Sequence, residues 1–139
     1  NNIDDRVHFL GSRDDVPNIL AELDIAILSS FHEGLPVAIS EAMLAGTAMI
    51  VSDIEPHLEA SGDGKYAAVF PVGDADILAQ RMIDLIGDNT GRDALAQKAK
   101  SYALENLSIY SHLRDLTKLY EALIENQLAD LARVDPTGQ

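Results

Sequence analysis

The chain has 139 residues, 47% of them hydrophobic and 24% charged, with 10 Lys and Arg against 23 Asp and Glu for a net charge of −13. This length favours one domain, and the composition excludes wholesale disorder. A chain this acidic is a poor match for nucleic acid or an anionic membrane surface, so neither is expected as a partner. Val7-His8-Phe9-Leu10, ending at Gly11, reads as a short strand. Asp14 and Asp15 stand where a helix N-cap belongs, with Pro17 in the first turn. Ile19, Leu20 and Leu23 give that helix an apolar side. Ile25-Ala26-Ile27-Leu28 fits a strand covered on both faces. A loop, Ser29 to Pro36, leads into a helix that Pro36 opens and Gly46 closes.

Ala48-Met49-Ile50-Val51 reads as a second buried strand. Ser52 to Gly64 is polar loop with a helical turn around His57-Leu58-Glu59, and Ala67-Ala68-Val69-Phe70 is a weaker strand. From Asp74 the period becomes helical. Ile77, Leu78, Met82, Leu85 and Ile86 line one face, with Asp74 as cap and Gly87 as stop. A second helix is expected from about Thr90 to Leu104. A third starts near Ser108 and carries Leu113, Leu116, Tyr120, Leu123 and Ile124. Tyr102, Tyr110 and Tyr120 sit at helical positions and are expected in the core. Residues 1–130 form the expected domain, and 131–139 a frayed tail.

Cysteine is absent. That excludes a disulfide framework, a thiolate zinc site and a Cys nucleophile, and fits a reducing compartment. No apolar run approaches the roughly 18 residues of a membrane helix, so a cytoplasmic setting is expected. The start, Asn1-Asn2-Ile3, has no signal-peptide character and no initiator Met, so the chain reads as a piece of a longer protein.

Strands alternating with helices imply a Rossmann-like α/β parallel sheet with right-handed crossovers. Ligands in such sheets bind beyond the carboxyl ends of the strands. The loops Gly11–Asp15, Ser29–Pro36 and Ser52–Glu59 lie at that edge. Glu33-Gly34-Leu35-Pro36 runs into a helix whose first N–H groups lack internal partners, a candidate diphosphate cradle or an ordinary strand-to-helix connection. Residues 14 to 64 contain no Lys or Arg. A diphosphate there needs positive charge from elsewhere, Arg13 and Lys65 being nearest in sequence. Glu41 stands in an otherwise apolar run and either finds hydroxyl donors, such as a sugar ring, or faces solvent. Glu33 is a hydroxyl acceptor, a catalytic carboxylate or a solvated loop residue. Asp74-Ala75-Asp76 resembles a metal-binding Asp-x-Asp, but two acids in a first helical turn are favoured anyway. The four His show no metal-ligand spacing, so no metal site is expected.

The stretch Glu33-Gly34-Leu35-Pro36-Val37-Ala38-Ile39-Ser40-Glu41-Ala42-Met43-Leu44-Ala45-Gly46 resembles the C-terminal domain of retaining GT-B glycosyltransferases, family 4 and its relatives. Two Glu separated by seven residues stand in the family's frame. Val7 to Gly11 with Asp14 to Pro17, Asp24 to Ser30, Met49 to Asp53, Val72 to Asp74 and the late Tyr120 follow in the family's order. The resemblance implies a truncated C-terminal half of the GT-B fold, ending in long helices. It implies a nucleotide-diphosphate sugar donor and transfer of a hexose to a glycan or lipid-linked acceptor, with no cofactor and no metal. In this frame Glu33 is the catalytic-site carboxylate at the sugar. Gly34, Leu35, Pro36 and Val37 contact sugar and distal phosphate. Glu41 binds the ribose, and Ser12 and Arg13 lie near the base. The family also carries an N-terminal acceptor domain, two further strands and an Arg…Lys pair upstream. The parent enzyme would work in the cytoplasm or at the cytoplasmic face of a membrane, and this chain alone would be inactive. Two alternatives are a non-catalytic nucleotide-sugar-binding or scaffold module and a nucleotide-sugar epimerase. An exposed sheet edge further predicts self-association.

Overall fold

The sheet is three-stranded and parallel in the order β1 (Ile25–Leu28), β2 (Ala48–Ser52), β3 (Ala68–Phe70). This is the arrangement in a computed structural model that describes residues 3–133. Ile25 stands opposite Ala48, Leu28 opposite Val51 and Ser52 opposite Phe70, so the carboxyl ends of the strands lie together at one edge. Helix α1 (Val16–Glu22) precedes β1, α2 (Val37–Ala45) connects β1 to β2, and α3 (Glu55–Ala60) connects β2 to β3. Then come α4 (Ala75–Gly87), α5 (Asn89–Asn106) and α6 (Ile109–Arg133). Residues 131–133, expected to fray, are the last of α6; 134–139 lie outside the described residues.

The core forms where β2 meets α2 and α5. Met49 and Val51 project from one face of β2 onto Ile39, Ala42 and Met43 of α2 and onto Ala99 and Ala103 of α5. Alternate residues Ala48, Ile50 and Ser52 are buried too, so β2 is covered on both faces, as its unbroken apolar run predicts. Gly46 closes α2 in the left-handed conformation, φ +85°, with its N–H bonded to the Ala42 and Met43 carbonyls. The Thr47 hydroxyl donates to Leu20 O and ties α2's end to α1.

Three expectations need correction. Residues 7–10 form no strand. Val7 is extended, but no described segment pairs with it, and a strand without a ladder partner leaves its apolar side chains in water; Phe9 is 97% exposed. β1 is an edge strand, so Ile27 remains 39% exposed instead of covered. The apolar face expected on α4 forms, with Leu78, Met82 and Leu85 half-covered and Ile77 and Ile86 exposed. Tyr110 and Tyr120 are exposed on α6 and are not core, because α6 touches the rest of the domain mainly near its start, through α5. Tyr102 alone is half-buried, stacked on Tyr66.

Candidate functional site

Three loops meet at the carboxyl edge of the sheet. The loop after β1 carries Ser29 to Pro36, the turn after β2 carries Asp53 and Ile54, and the loop after β3 carries Pro71 to Asp74. Asp53 joins the last two: its N–H donates to Phe70 O at 2.9 Å, and its Oδ1 accepts from Val72 N at 2.8 Å.

The chain enters α2 through a tight turn at Pro36 (φ −80°, ψ 72°), closed by a hydrogen bond from Val37 N to Leu35 O at 2.9 Å. Ile39 N donates to Pro36 O at 3.0 Å, and no side chain caps the helix. Pro36 has no N–H and that of Val37 is engaged, which leaves Gly34 and Leu35 to offer main-chain donors from this segment. Gly34 is not demanded by the fold. Its φ lies outside the left-handed region, and a Cβ built on it would meet nothing within 4 Å. The glycine keeps the surface bare where the backbone turns into the helix.

Glu33 is half-buried, and its Oε1 accepts from the Ser30 hydroxyl at 2.7 Å. Glu41 lies one turn into α2 on its exposed side, between the buried Ile39 and Ala42. Its apolar neighbours are satisfied by turning inward while it faces solvent. Beside the start of α2 opens a cavity of 290 Å³, lined among others by Gly34, Leu35, Pro36, Ser40, Glu59 and Tyr102. A neighbouring groove of 520 Å³ is lined by Leu35, Val37, Leu107, Ile109 and His112.

Ser12 and Arg13 are exposed ahead of α1. Arg13 grips Asp15 through Nε and a terminal nitrogen, each at 2.7 Å. The pair raises the Arg13 guanidinium and lowers the Asp15 carboxyl, chiefly through those hydrogen bonds. Lys65 lies 3.9 Å from Asp63. The two cations nearest in sequence to the acidic stretch are therefore both already beside carboxylates. Asp74 caps α4, accepting from Ile77 N at 3.0 Å, as its position predicts. Among the described residues no group of three metal-ligating side chains comes together, and no helix is long and apolar enough to cross a membrane.

Sequence reasoning missed one cluster entirely. His57, fully buried on α3, lies with its Nδ1 3.0 Å from Ser52 Oγ and 3.2 Å from Ser52 O. Ser52 Oγ donates its own proton to Ser30 O at 2.7 Å. A carbonyl accepts only, and the Ser52 hydroxyl has spent its proton, so Nδ1 carries the imidazole hydrogen. His57 Nε2 is buried with no hydrogen-bond partner. An orphaned buried acceptor costs about 1–3 kcal/mol. The sequence signal was a Ser ending a buried strand with a His five residues on.

The family model described as "Glycosyl transferases group 1" matches residues 1–88. The chain is 35% identical over 123 residues to the N,N'-diacetylbacillosaminyl-diphospho-undecaprenol alpha-1,3-N-acetylgalactosaminyltransferase of Campylobacter jejuni, covering 86% of this chain and 32% of that protein. It is 26% identical over 126 residues to the UDP-Gal:alpha-D-GlcNAc-diphosphoundecaprenol alpha-1,3-galactosyltransferase of Escherichia coli, covering 91% and 32%. The crystal structure of Anabaena Alr3699/HepE in complex with UDP superposes with a TM-score of 0.81 at 23% identity, over 86% of this chain and 33% of that one. The fold is that of a GT-B glycosyltransferase domain. The chain spans about a third of the length of the relatives it matches.

Proposed function

The chain belongs to the glycosyl transferases group 1 family, and on that premise we propose that it is the donor-binding part of a retaining enzyme moving a hexose from a nucleotide-diphosphate sugar to a glycan or lipid-linked acceptor. The observation that carries this reading is the loop Glu33–Pro36. It lies at the carboxyl edge of the sheet, runs into an uncapped helix, and holds a glycine the fold itself does not need. Backbone that is bare without structural cause suits close approach of a phosphate or sugar.

In this reading Glu33, oriented by Ser30, stands at the transferred sugar and is the catalytic-site carboxylate. Gly34 and Leu35 offer N–H donors to the sugar and distal phosphate, and Pro36 and Val37 shape the wall. Glu41, exposed on α2, accepts from the ribose hydroxyls. Ser12 and Arg13 lie toward the base. No metal is required. Diphosphate charge is met by the helix N-terminus and by cations outside residues 14–64, supplied by a longer enzyme that also holds the acceptor. Two relatives named for diphospho-undecaprenol-linked sugars support a lipid-linked acceptor, and the UDP in the Anabaena structure supports a nucleotide donor.

A second reading, a nucleotide-binding module without catalysis, draws on one observation: the cations nearest the cradle in sequence lie beside Asp15 and Asp63. Calorimetric titration with UDP, GDP and ADP tests the site. Binding of one nucleotide, weakened by about tenfold in Glu41→Ala, is expected from the loss of a charged hydrogen-bond acceptor. Unchanged affinity in the variant sinks the ribose assignment. Turnover of the parent enzyme with that donor decides between transferase and binding module.

A further inference from the structure

We propose that His57 is a positioning residue for Glu33, acting through a relay of two serines. The bonds meet at Ser30, whose carbonyl is held from the Ser52 side and whose hydroxyl holds Glu33. His57 Nδ1–H donates to Ser52 Oγ, the Ser52 hydroxyl donates to Ser30 O, and the Ser30 hydroxyl donates to Glu33 Oε1. The inference rests on the reading of Glu33 as the carboxylate at the sugar, but the relay itself is a property of this chain alone.

The links have a clear division of labour. Ser52 is the last residue of β2, fixed by its pairing with Phe70. Ser30 is the second residue beyond β1, outside the ladder, so its carbonyl and hydroxyl are free to be directed. Bonding Ser30 O to Ser52 Oγ pins the root of the loop to the rigid centre of the sheet. Ser52 can serve Ser30 only if its hydroxyl rotor points that way. A donor at its lone pairs selects that orientation, and His57 Nδ1–H is that donor. The second acceptor of the same hydrogen, Ser52 O, holds the ring plane.

The orphaned Nε2 supports this assignment. A histidine that only filled space would be outdone by an apolar side chain of similar size, which strands no polar atom. The ring is instead used at one nitrogen alone, and that nitrogen faces the end of β2, whose Ser52 hydroxyl reaches across to Ser30 in the loop that follows β1.

The test uses the 139-residue chain. Imidazole nitrogen NMR is expected to show His57 protonated at Nδ1; protonation at Nε2 alone overturns the relay. Amide hydrogen exchange then compares variants. His57→Leu is expected to speed exchange at residues 31–35 by about fivefold to tenfold, the weight of one hydrogen bond, with β2 and α5 unchanged. His57→Asn retains an N–H near the Nδ1 position and is expected to restore protection to within about twofold. Ser52→Ala should match His57→Leu, and the double variant should add little. Should the leucine variant fail to fold, the asparagine and Ser52→Ala variants carry the comparison. Loss of protection spread evenly over the chain, or no rescue by asparagine, means that His57 merely packs, and overturns the proposal. The exchange pattern needs no nucleotide. A chain that shows it yet binds no UDP, GDP or ADP keeps the relay and loses the glycosyl-transfer reading.

Discussion

The rings of Tyr66 and Tyr102 lie stacked, with centroids 4.4 Å apart and planes 19° from parallel. The stack joins the segment before β3 to α5, and Tyr102 continues into the wall of the cavity beside the start of α2. Burial foremost, and then the neighbouring Tyr66, Asp63 and Glu59, raise the Tyr102 phenol above its ordinary value.

Gly62 makes this stack possible. It is left-handed at φ +64°, and an added Cβ would lie 2.6 Å from the Tyr66 ring. Gly62→Ala combines a strained backbone with a displaced aromatic, so a loss of about 1–3 kcal/mol is expected. Urea unfolding measures it. A variant as stable as the parent chain would show that the stack moves freely.

Gly34→Ala should behave in the opposite way. The position is open and its φ is not left-handed, so stability should hold or rise by about 0.4–1 kcal/mol through the unfolded chain. Nucleotide affinity should fall by about tenfold or more as the methyl intrudes on the ligand. Thermal melts and calorimetry on one preparation check both halves. Lost stability with intact binding would make Gly34 a structural residue.

The Arg13–Asp15 pair makes a pH prediction. Its hydrogen bonds lower the Asp15 carboxyl in the folded chain. A depressed carboxyl contributes stability above its unfolded value and loses it as pH falls through the folded one. Asp15→Asn should therefore lose a little stability at neutral pH, little because the pair is solvent-exposed, and the loss should vanish as pH falls, which flattens the acid limb of the Tm-against-pH curve. An equal loss at all pH values would point to the helix N-terminus instead.

Self-association is expected through α6. Leu113, Leu116, Tyr120, Leu123 and Ile124 recur at helical spacing and are exposed together. Sedimentation should show concentration-dependent mass, reduced by Leu116→Glu with Leu123→Glu. A strictly monomeric chain at high concentration contradicts this.

Much of the fold was legible because its signals are local. The apolar run of β2, Gly46 closing α2, and Asp74 capping α4 each announce themselves within a few residues. What misled was whatever depends on distant partners. Val7 to Leu10 has the composition of a strand, but pairing is decided by a neighbour, and β1 is covered only as far as adjacent elements reach. Tyr110 and Tyr120 keep core-like spacing on a helix that leaves the core. At the candidate site, Glu33 and Gly34 stood out through loop chemistry. His57 did not, because its partners Ser52 and Ser30 come from two strand ends that only the folded sheet brings together.

Ala96, Ala99 and Ala103 are the buried residues of α5, and two of them lie in the core with α2. Methyl groups have no rotamers, so the spacing of the two helices is set by their backbones and cannot be absorbed by repacking. The seam acts as a ruler. Any larger residue there would push α2 outward and carry Glu41 and the helix opening with it, so under the proposed function nucleotide binding would change from a position remote from the cradle.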